Sequence, residues 1–128
     1  MKETRRLPES ELDIMLCVWD GGAAGATAPE ILERLERPLT ASALHSYLKR
    51  LEEKGFLTCA KDGRTNCYTA RISREAYQER EGKSVLEKLY GNSLKRFAAA
   101  LYDGGAVSRQ ELAELRDYLD ELGRGEGA

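Results

Sequence analysis

Apolar residues recur at helical spacing along most of this chain, and only its middle departs from that rhythm. Between Pro8 and Asp20, Leu12, Met15, Leu16 and Trp19 fall at one-turn intervals with Ser10 available as a cap, which predicts a helix ended by Gly21-Gly22. Thr27-Ala28-Pro29-Glu30 is a capping box in which hydroxyl and carboxylate each satisfy a backbone N–H. It opens a short helix carrying Ile31, Leu32 and Leu35 and stopping near Arg37-Pro38, because proline disfavours helical geometry at the residue before it. A third helix, Thr40 to Lys54, places Leu44, Tyr47, Leu48 and Leu51 at i, i+3, i+4, i+7, and Lys54-Gly55 reads as its C-terminal cap. Two strand-forming runs follow, Phe56 to Ala60 and Asn66 to Ile72. Lys61-Asp62-Gly63-Arg64-Thr65 joins them, with Asp-Gly as the turn signal of a hairpin with a basic tip.

Beyond Ile72 the helical rhythm returns. Ser73 caps a helix with Tyr77, Val85, Leu86, Leu89 and Tyr90. After Gly91-Asn92, Ser93 restarts it with Leu94, Phe97, Ala98 and Leu101. Asp103-Gly104-Gly105 breaks the chain, and a second capping box from Ser108 to Glu111 opens a last helix with Leu112, Leu115, Leu119 and Leu122 in the 3-4-3 spacing of a helix-pairing seam. Such helices are marginal alone, so the pattern asks for a partner, most simply a second copy. The fold expected is mainly α with a small β-hairpin: a winged helix-turn-helix domain over 1–72, a helical dimerisation arm over 73–122, and a frayed glycine-rich tail over 123–128.

Charge sharpens this picture. Lys and Arg number 20 against 22 Asp and Glu, a formal net charge of −2, so bulk basicity holds no nucleic acid. The charge is segregated: residues 39–71 hold six basic and three acidic groups, or +3, and residues 73–128 hold nine and eleven, or −2. In a winged helix the third helix enters the major groove and the hairpin touches the adjacent backbone. The candidate DNA-binding residues are therefore Thr40, Ala41, Ser42, Ala43, His45 and Ser46, small or polar at the groove, with Lys49, Arg50, Lys61 and Arg64 at phosphates or base edges. The candidate dimerisation residues are Leu86, Leu89, Tyr90, Leu94, Phe97, Leu101, Leu112, Leu115, Leu119 and Leu122.

Other chemistries find little support. No Ser-His-Asp, Cys-His, HExxH or glycine-rich phosphate loop occurs, so no enzyme is expected, and with one histidine and no clustered ligands neither a metal nor a cofactor. Glu111, Glu114, Asp117, Asp120 and Glu121 read as the solvated face of the last helix, and Trp19 and Tyr47 as core. Cys17, Cys59 and Cys67 make an odd count without CxxC spacing, the habit of a reduced cytoplasmic protein. Met1 to Leu7 carries Lys2, Arg5 and Arg6 but no apolar run of signal-peptide length, and no stretch spans a membrane, so the expected location is the cytoplasm.

The strings LPESELDIMLCVWD, TAPEILERL, LHSYLKRLEEKGFL, KDGRTNCYTARI and ELAELRDYLDEL resemble the penicillinase-repressor family, the BlaI/MecI group with its copper-responsive CopY relatives, from about Leu7 to Leu122. Glu9, Glu11, Met15 and Trp19 carry the likeness together with the L-x-R-L-x-x-K-G run of Leu48, Arg50, Leu51, Lys54 and Gly55. The resemblance implies a homodimeric repressor on a palindromic operator, its C-terminal helices intertwined. It also implies genes of β-lactam resistance or a similar stress, and a membrane sensor or protease acting as antirepressor. Where the family places Lys, Thr and Arg early in the recognition helix this chain has Ser42, Ala43 and His45, which implies a different operator. Ala100-Leu101 stands where the resistance repressors are cut at Asn-Phe, and the tail lacks the C-x-C motif of the copper branch. Two alternatives stand beside this reading: a winged-helix adaptor that docks on protein and does not read DNA, and a repressor switched by thiols, Cys59 and Cys67 lying close on the two wing strands if the hairpin turns around Gly63.

Overall fold

The computed structural model describes residues 6–126. Lys2 and Arg5 of the basic N-terminus, and the last two residues of the expected tail, lie outside that range. The elements run α1 (Glu9–Asp20), a 3₁₀ turn (Gly22–Ala24), β1 (Ala26–Thr27), α2 (Ala28–Arg34), α3 (Ala41–Glu53), β2 (Leu57–Asp62), β3 (Thr65–Ala70), α4 (Arg74–Tyr90), α5 (Leu94–Asp103) and α6 (Arg109–Glu126). By compactness the chain divides into two units, Met1–Glu81 and Gly82–Ala128.

The first unit is a winged helix. Its sheet has three strands in the order β1-β3-β2, all antiparallel, where a two-stranded hairpin was expected. The extra strand is only Ala26–Thr27, paired with Tyr68 and Cys67. It is too short to show an alternating pattern. The core gathers Ile14, Met15 and Val18 from α1, Ile31 from α2, Leu44, Leu48 and Leu51 from α3, and Phe56, Leu57 and Tyr68 from the wing, each at most 5% exposed. Leu16, expected on the inner face of α1, is instead 40% exposed. The run Ile14 to Val18 is apolar on every side, so its phase was ambiguous. Buried Glu11 resolves it, because the inward face includes this carboxylate.

The helix ends follow the sequence except at α1, which starts at Glu9 with Pro8 as its N-cap and no side-chain bond, so that Ser10, expected as the cap, lies inside the helix. Thr27 accepts from the Glu30 N–H at 3.3 Å, while Glu30 accepts from the Thr27 N–H at 2.8 Å, closing the capping box. This bonding holds the Glu30 carboxyl below its ordinary pKa, the backbone N–H of Thr27 contributing most. α3 ends in a Schellman motif: Gly55, at φ 85°, donates to Glu52 O and Phe56 to Leu51 O, which turns buried Phe56 back under the helix.

The first unit reaches into α4, past the boundary expected at residue 72. Tyr77 explains the difference: it is 6% exposed, accepts from the Leu7 N–H at 2.9 Å and packs its ring against Trp19 and Phe56. In the second unit Ser93 caps α5 by accepting from the Arg96 N–H, and Ser108 and Glu111 form the capping box of α6. α6 runs on through Glu126, so Gly123 and Gly125 are helical where a frayed tail was expected. Among the described residues no helix is long and apolar enough to cross a membrane.

Candidate nucleic-acid interface

Three helical residues of α3, Leu44, Leu48 and Leu51, are buried, and Thr40 anchors the start of the helix by accepting from the Ala43 N–H at 3.1 Å. The face turned away from the core consists of Ala41, Ser42, His45, Ser46 and Lys49, all exposed. Spacings of three and four residues, 41 to 45, 42 to 45 and 46, and 45 and 46 to 49, put these side chains in a single stripe along the helix. Ala43 stands apart: it is half-buried on the flank, and Thr40 is engaged as the cap, so neither belongs to the stripe itself.

Charge along the stripe is graded. Lys49 and Arg50 are exposed in the middle of α3, and among the described residues neither is in an ion pair. The Arg50 guanidinium lies 5.7 Å from the centroid of the Tyr47 ring, a cation–π contact that fixes its direction along the flank of the helix. Glu52 and Glu53 follow, so a polyanion is favoured at the N-terminal and central turns and repelled at the last.

The wing adds the second cationic segment. β2 and β3 pair from Leu57↔Ala70 to Asp62↔Thr65, leaving Gly63 and Arg64 as a two-residue turn. Gly63 takes φ 67°, the requirement of a II′ turn at its first position, and Arg64 is exposed at the tip with Lys61 exposed two positions before the turn.

This register corrects the expectation of paired wing thiols. A hairpin centred on Gly63 would set Cys59 opposite Cys67, but the turn lies between Gly63 and Arg64, so Cys59 faces Tyr68 and Cys67 faces Ala60. A shift of one residue sends the two side chains to opposite faces of the sheet, and thiols that point apart cannot be bridged. Cys67 donates to Ala24 O at 3.2 Å, whereas Cys59 lies against Tyr68, whose phenol is pushed up by burial and by that neighbouring thiol. The third thiol, Cys17, lies on the buried face of α1, and burial raises its pKa as well.

Glu11, Met15, Trp19, Lys54 and Gly55, which carry much of the family resemblance, are structural. Glu11, 3% exposed, accepts from Lys54 Nζ at 2.6 Å, tying the start of α1 to the end of α3. Met15 is fully buried, the Trp19 indole N–H donates to Ile72 O at 2.9 Å, and Gly55 supplies the Schellman turn. Lys54 is therefore committed inside the domain, and the cations of 39–71 that face outward are Lys49, Arg50, Lys61, Arg64 and Arg71. Sequence reasoning missed the Glu11–Lys54 pair, although both residues stood in the quoted motifs with opposite charge.

In the second unit, among the described residues, α5 and α6 bury none. Leu94, Tyr102, Leu115, Tyr118, Leu119 and Leu122 are exposed, as is Leu89 at 66%, while Leu86, Tyr90, Phe97, Leu101 and Leu112 are half-buried. Tyr90 and Phe97 pack with ring centroids 4.9 Å apart and planes tilted by 46° across the turn between α4 and α5. Tyr118 and Tyr102 are exposed aromatics that the leucine spacing did not single out.

Residues 7–121 match the family model described as penicillinase repressor. Similar proteins include the penicillinase repressor of Bacillus licheniformis, 28% identical over 123 residues and covering 94% of each chain. Another is the methicillin resistance regulatory protein MecI of Mammaliicoccus sciuri, 22% identical over 121 residues and covering 93% of this chain and 97% of that one. Among solved structures, the solution structure of Bacillus licheniformis BlaI, monomeric form in complex with the blaP half-operator, is 26% identical. It superposes with a TM-score of 0.49 over 60% of this chain and 94% of that chain.

Proposed function

The chain belongs to the penicillinase repressor family and is a DNA-binding transcriptional repressor, not an enzyme, and from that premise we propose that it acts as a cytoplasmic homodimer on a palindromic operator. The observation that carries this reading is the stripe of small and polar residues on α3, flanked by Lys49, Arg50, Lys61 and Arg64 exposed and outside any described ion pair. Small side chains let the helix approach base edges, and cations beside it exchange condensed counterions for phosphate contacts. The half-sites lie about 34 Å apart, one turn of DNA, or a small multiple of it. The exposed leucines of α5 and α6 supply the dimer, each protomer covering the other's apolar face.

The repressed genes on this reading serve β-lactam resistance or a similar stress, as the names of the relatives suggest, and a membrane sensor or protease relieves repression. With Ala100-Leu101 in place of Asn-Phe, release by cutting at that position is disfavoured. The test is a footprinted mobility-shift titration against DNA upstream of the protein's own gene at several salt concentrations. Four cations per protomer give eight phosphate contacts per dimer, hence a slope of log K against log salt of about −7. A competitor-resistant shift with two-fold symmetric protection supports the proposal. Weak, salt-sensitive smearing at about 10⁻⁴ to 10⁻⁶ M, the non-specific level, would overturn the palindromic operator at this promoter in favour of a different DNA target or of the protein-docking adaptor.

A further inference from the structure

The face of α3 that meets the groove is unusual in what it lacks. Arg and Lys recognise guanine, and Asn and Gln recognise adenine, by long side chains that reach two base atoms at once. Over its first two turns α3 exposes Ala41, Ser42, His45 and Ser46, and the nearest long cation on the stripe, Lys49, comes a turn later. Arg50 is held over Tyr47 on the flank, and Thr40 is spent as the cap. No bidentate reader is available where the helix goes deepest.

Each exposed group has its own limited vocabulary. The Ala41 side chain is a single methyl, whose complement in the major groove is the thymine C5-methyl. A serine hydroxyl both donates and accepts, so Ser42 and Ser46 pair with any base and discriminate little. The His45 imidazole, the one ring on the stripe and the one histidine of the chain, has a ring N–H to donate; purine N7 is its acceptor, and guanine places O6 beside it. Short side chains at 41, 42 and 46 allow the backbone to come close enough for that ring to reach. From Ala41 to His45 the helix advances about 6 Å, close to two base steps of 3.4 Å.

Resting on the repressor reading above, we propose that His45 and Ala41 are the specificity-determining residues of this protein: each half-site is read through one guanine, by the His45 N–H at N7, and one thymine methyl about two steps away, against Ala41. Serines and cations supply affinity that is indifferent to sequence. This is a sparse code, and the discrimination per half-site rests on two contacts.

The experiment is a selection of the full-length protein, and of full-length His45→Ala, on double-stranded DNA with a randomised core, followed by titrations on the selected site carrying base analogues. Replacing the guanine by 7-deazaguanine removes only N7, and replacing the thymine by deoxyuridine removes only the methyl. For the wild-type protein, 7-deazaguanine is expected to weaken binding by about tenfold or more, and deoxyuridine by roughly fourfold, the value of one buried methyl group. With His45→Ala the guanine preference and the 7-deazaguanine effect vanish together, while the deoxyuridine effect persists. His45 is exposed, and the base analogues act on unaltered protein, so a folding defect cannot imitate this pattern. If a half-site is enriched but His45→Ala selects the same site, or both analogues bind as well as natural DNA, the two-contact code is overturned and the repressor reading stands. If no sequence is enriched at all, both fall.

Discussion

In the unit ending at Glu81, α1, α2, α3 and the sheet turn their apolar side chains onto one another, and Ile14, Met15, Val18, Ile31, Leu44, Leu48, Leu51 and Leu57 are all fully or almost fully buried. In the unit that follows, α5 and α6 are just as clearly amphipathic, yet among the described residues no hydrophobic side chain there reaches burial. The same rule of helical spacing therefore has two outcomes. Where three helices and a sheet surround a common centre, the apolar faces are used within the chain. In the 47 residues of the second unit the apolar faces of α5 and α6 stay uncovered by the chain itself, which is what the proposed dimer requires.

The sharpest way to break that contrast is to place charge in each apolar set. Leu48→Asp, in a core position 1% exposed, buries an unpaired carboxylate and is expected to abolish cooperative unfolding of the first unit by thermal circular dichroism. The milder Leu48→Ala should cost about 2 to 5 kcal/mol. Leu115→Asp with Leu119→Asp should do the reverse: the first unit keeps its transition, while the protein becomes monomeric and loses operator affinity at least a hundredfold. A double variant that still sediments as a dimer places the seam elsewhere.

Lys54→Ala asks how much of the first unit's stability lies in Glu11, the one buried charged group among the described residues. Glu11 would be left desolvated and unpaired, at a cost of about 3 kcal/mol, the lower end of the range for buried pairs because Lys54 is itself 35% exposed. Urea midpoints for Lys54→Ala and for the double variant with Glu11→Leu check this; the second substitution should restore much of the loss, and further destabilisation would contradict it. Smaller again is Arg64→Ala at the wing tip. It should weaken binding to every DNA sequence alike and reduce the salt slope by about one, and an unchanged slope removes the wing from the interface.

The smallest effect concerns pH. The Glu30 carboxyl has its pKa lowered in the folded chain, so its contribution is present above the unfolded pKa and is lost as pH falls through the lower, folded value. Glu30→Ala, which removes the carboxylate half of the capping box and leaves the Thr27 hydroxyl in place, should therefore differ most from wild type near neutrality and converge with it on acidification, as followed by thermal melts across the acid range. A difference independent of pH would mean that the carboxylate is not part of the cap.

Legibility differed between the units for a related reason. Caps are local, and Thr27, Thr40, Ser73, Ser93 and Ser108 all cap helices where the sequence placed them. Long-range choices were less readable. β1 is two residues whose strand character exists only in its pairing with β3. The phase of α1 depends on Lys54, 43 residues away, drawing Glu11 inward and leaving Leu16 outside. Cys59 and Cys67 depend on whether the wing turns on one residue or between two, a difference of half a step that reverses every side chain. Of the family-typical residues, Glu11, Met15, Trp19, Lys54 and Gly55 proved to be scaffold while Arg50 is exposed, and the stripe proposed to read DNA is made largely of small residues that stand out little in the sequence.

The central claim is that the arm is unfinished until a second copy covers it. Sedimentation equilibrium of the full chain over a wide concentration range, without DNA, tests it most directly. The account predicts a single species at twice the chain's mass that turns to monomer only on strong dilution or with Leu115→Asp and Leu119→Asp. A wild-type chain that stays monomeric at every concentration would contradict it.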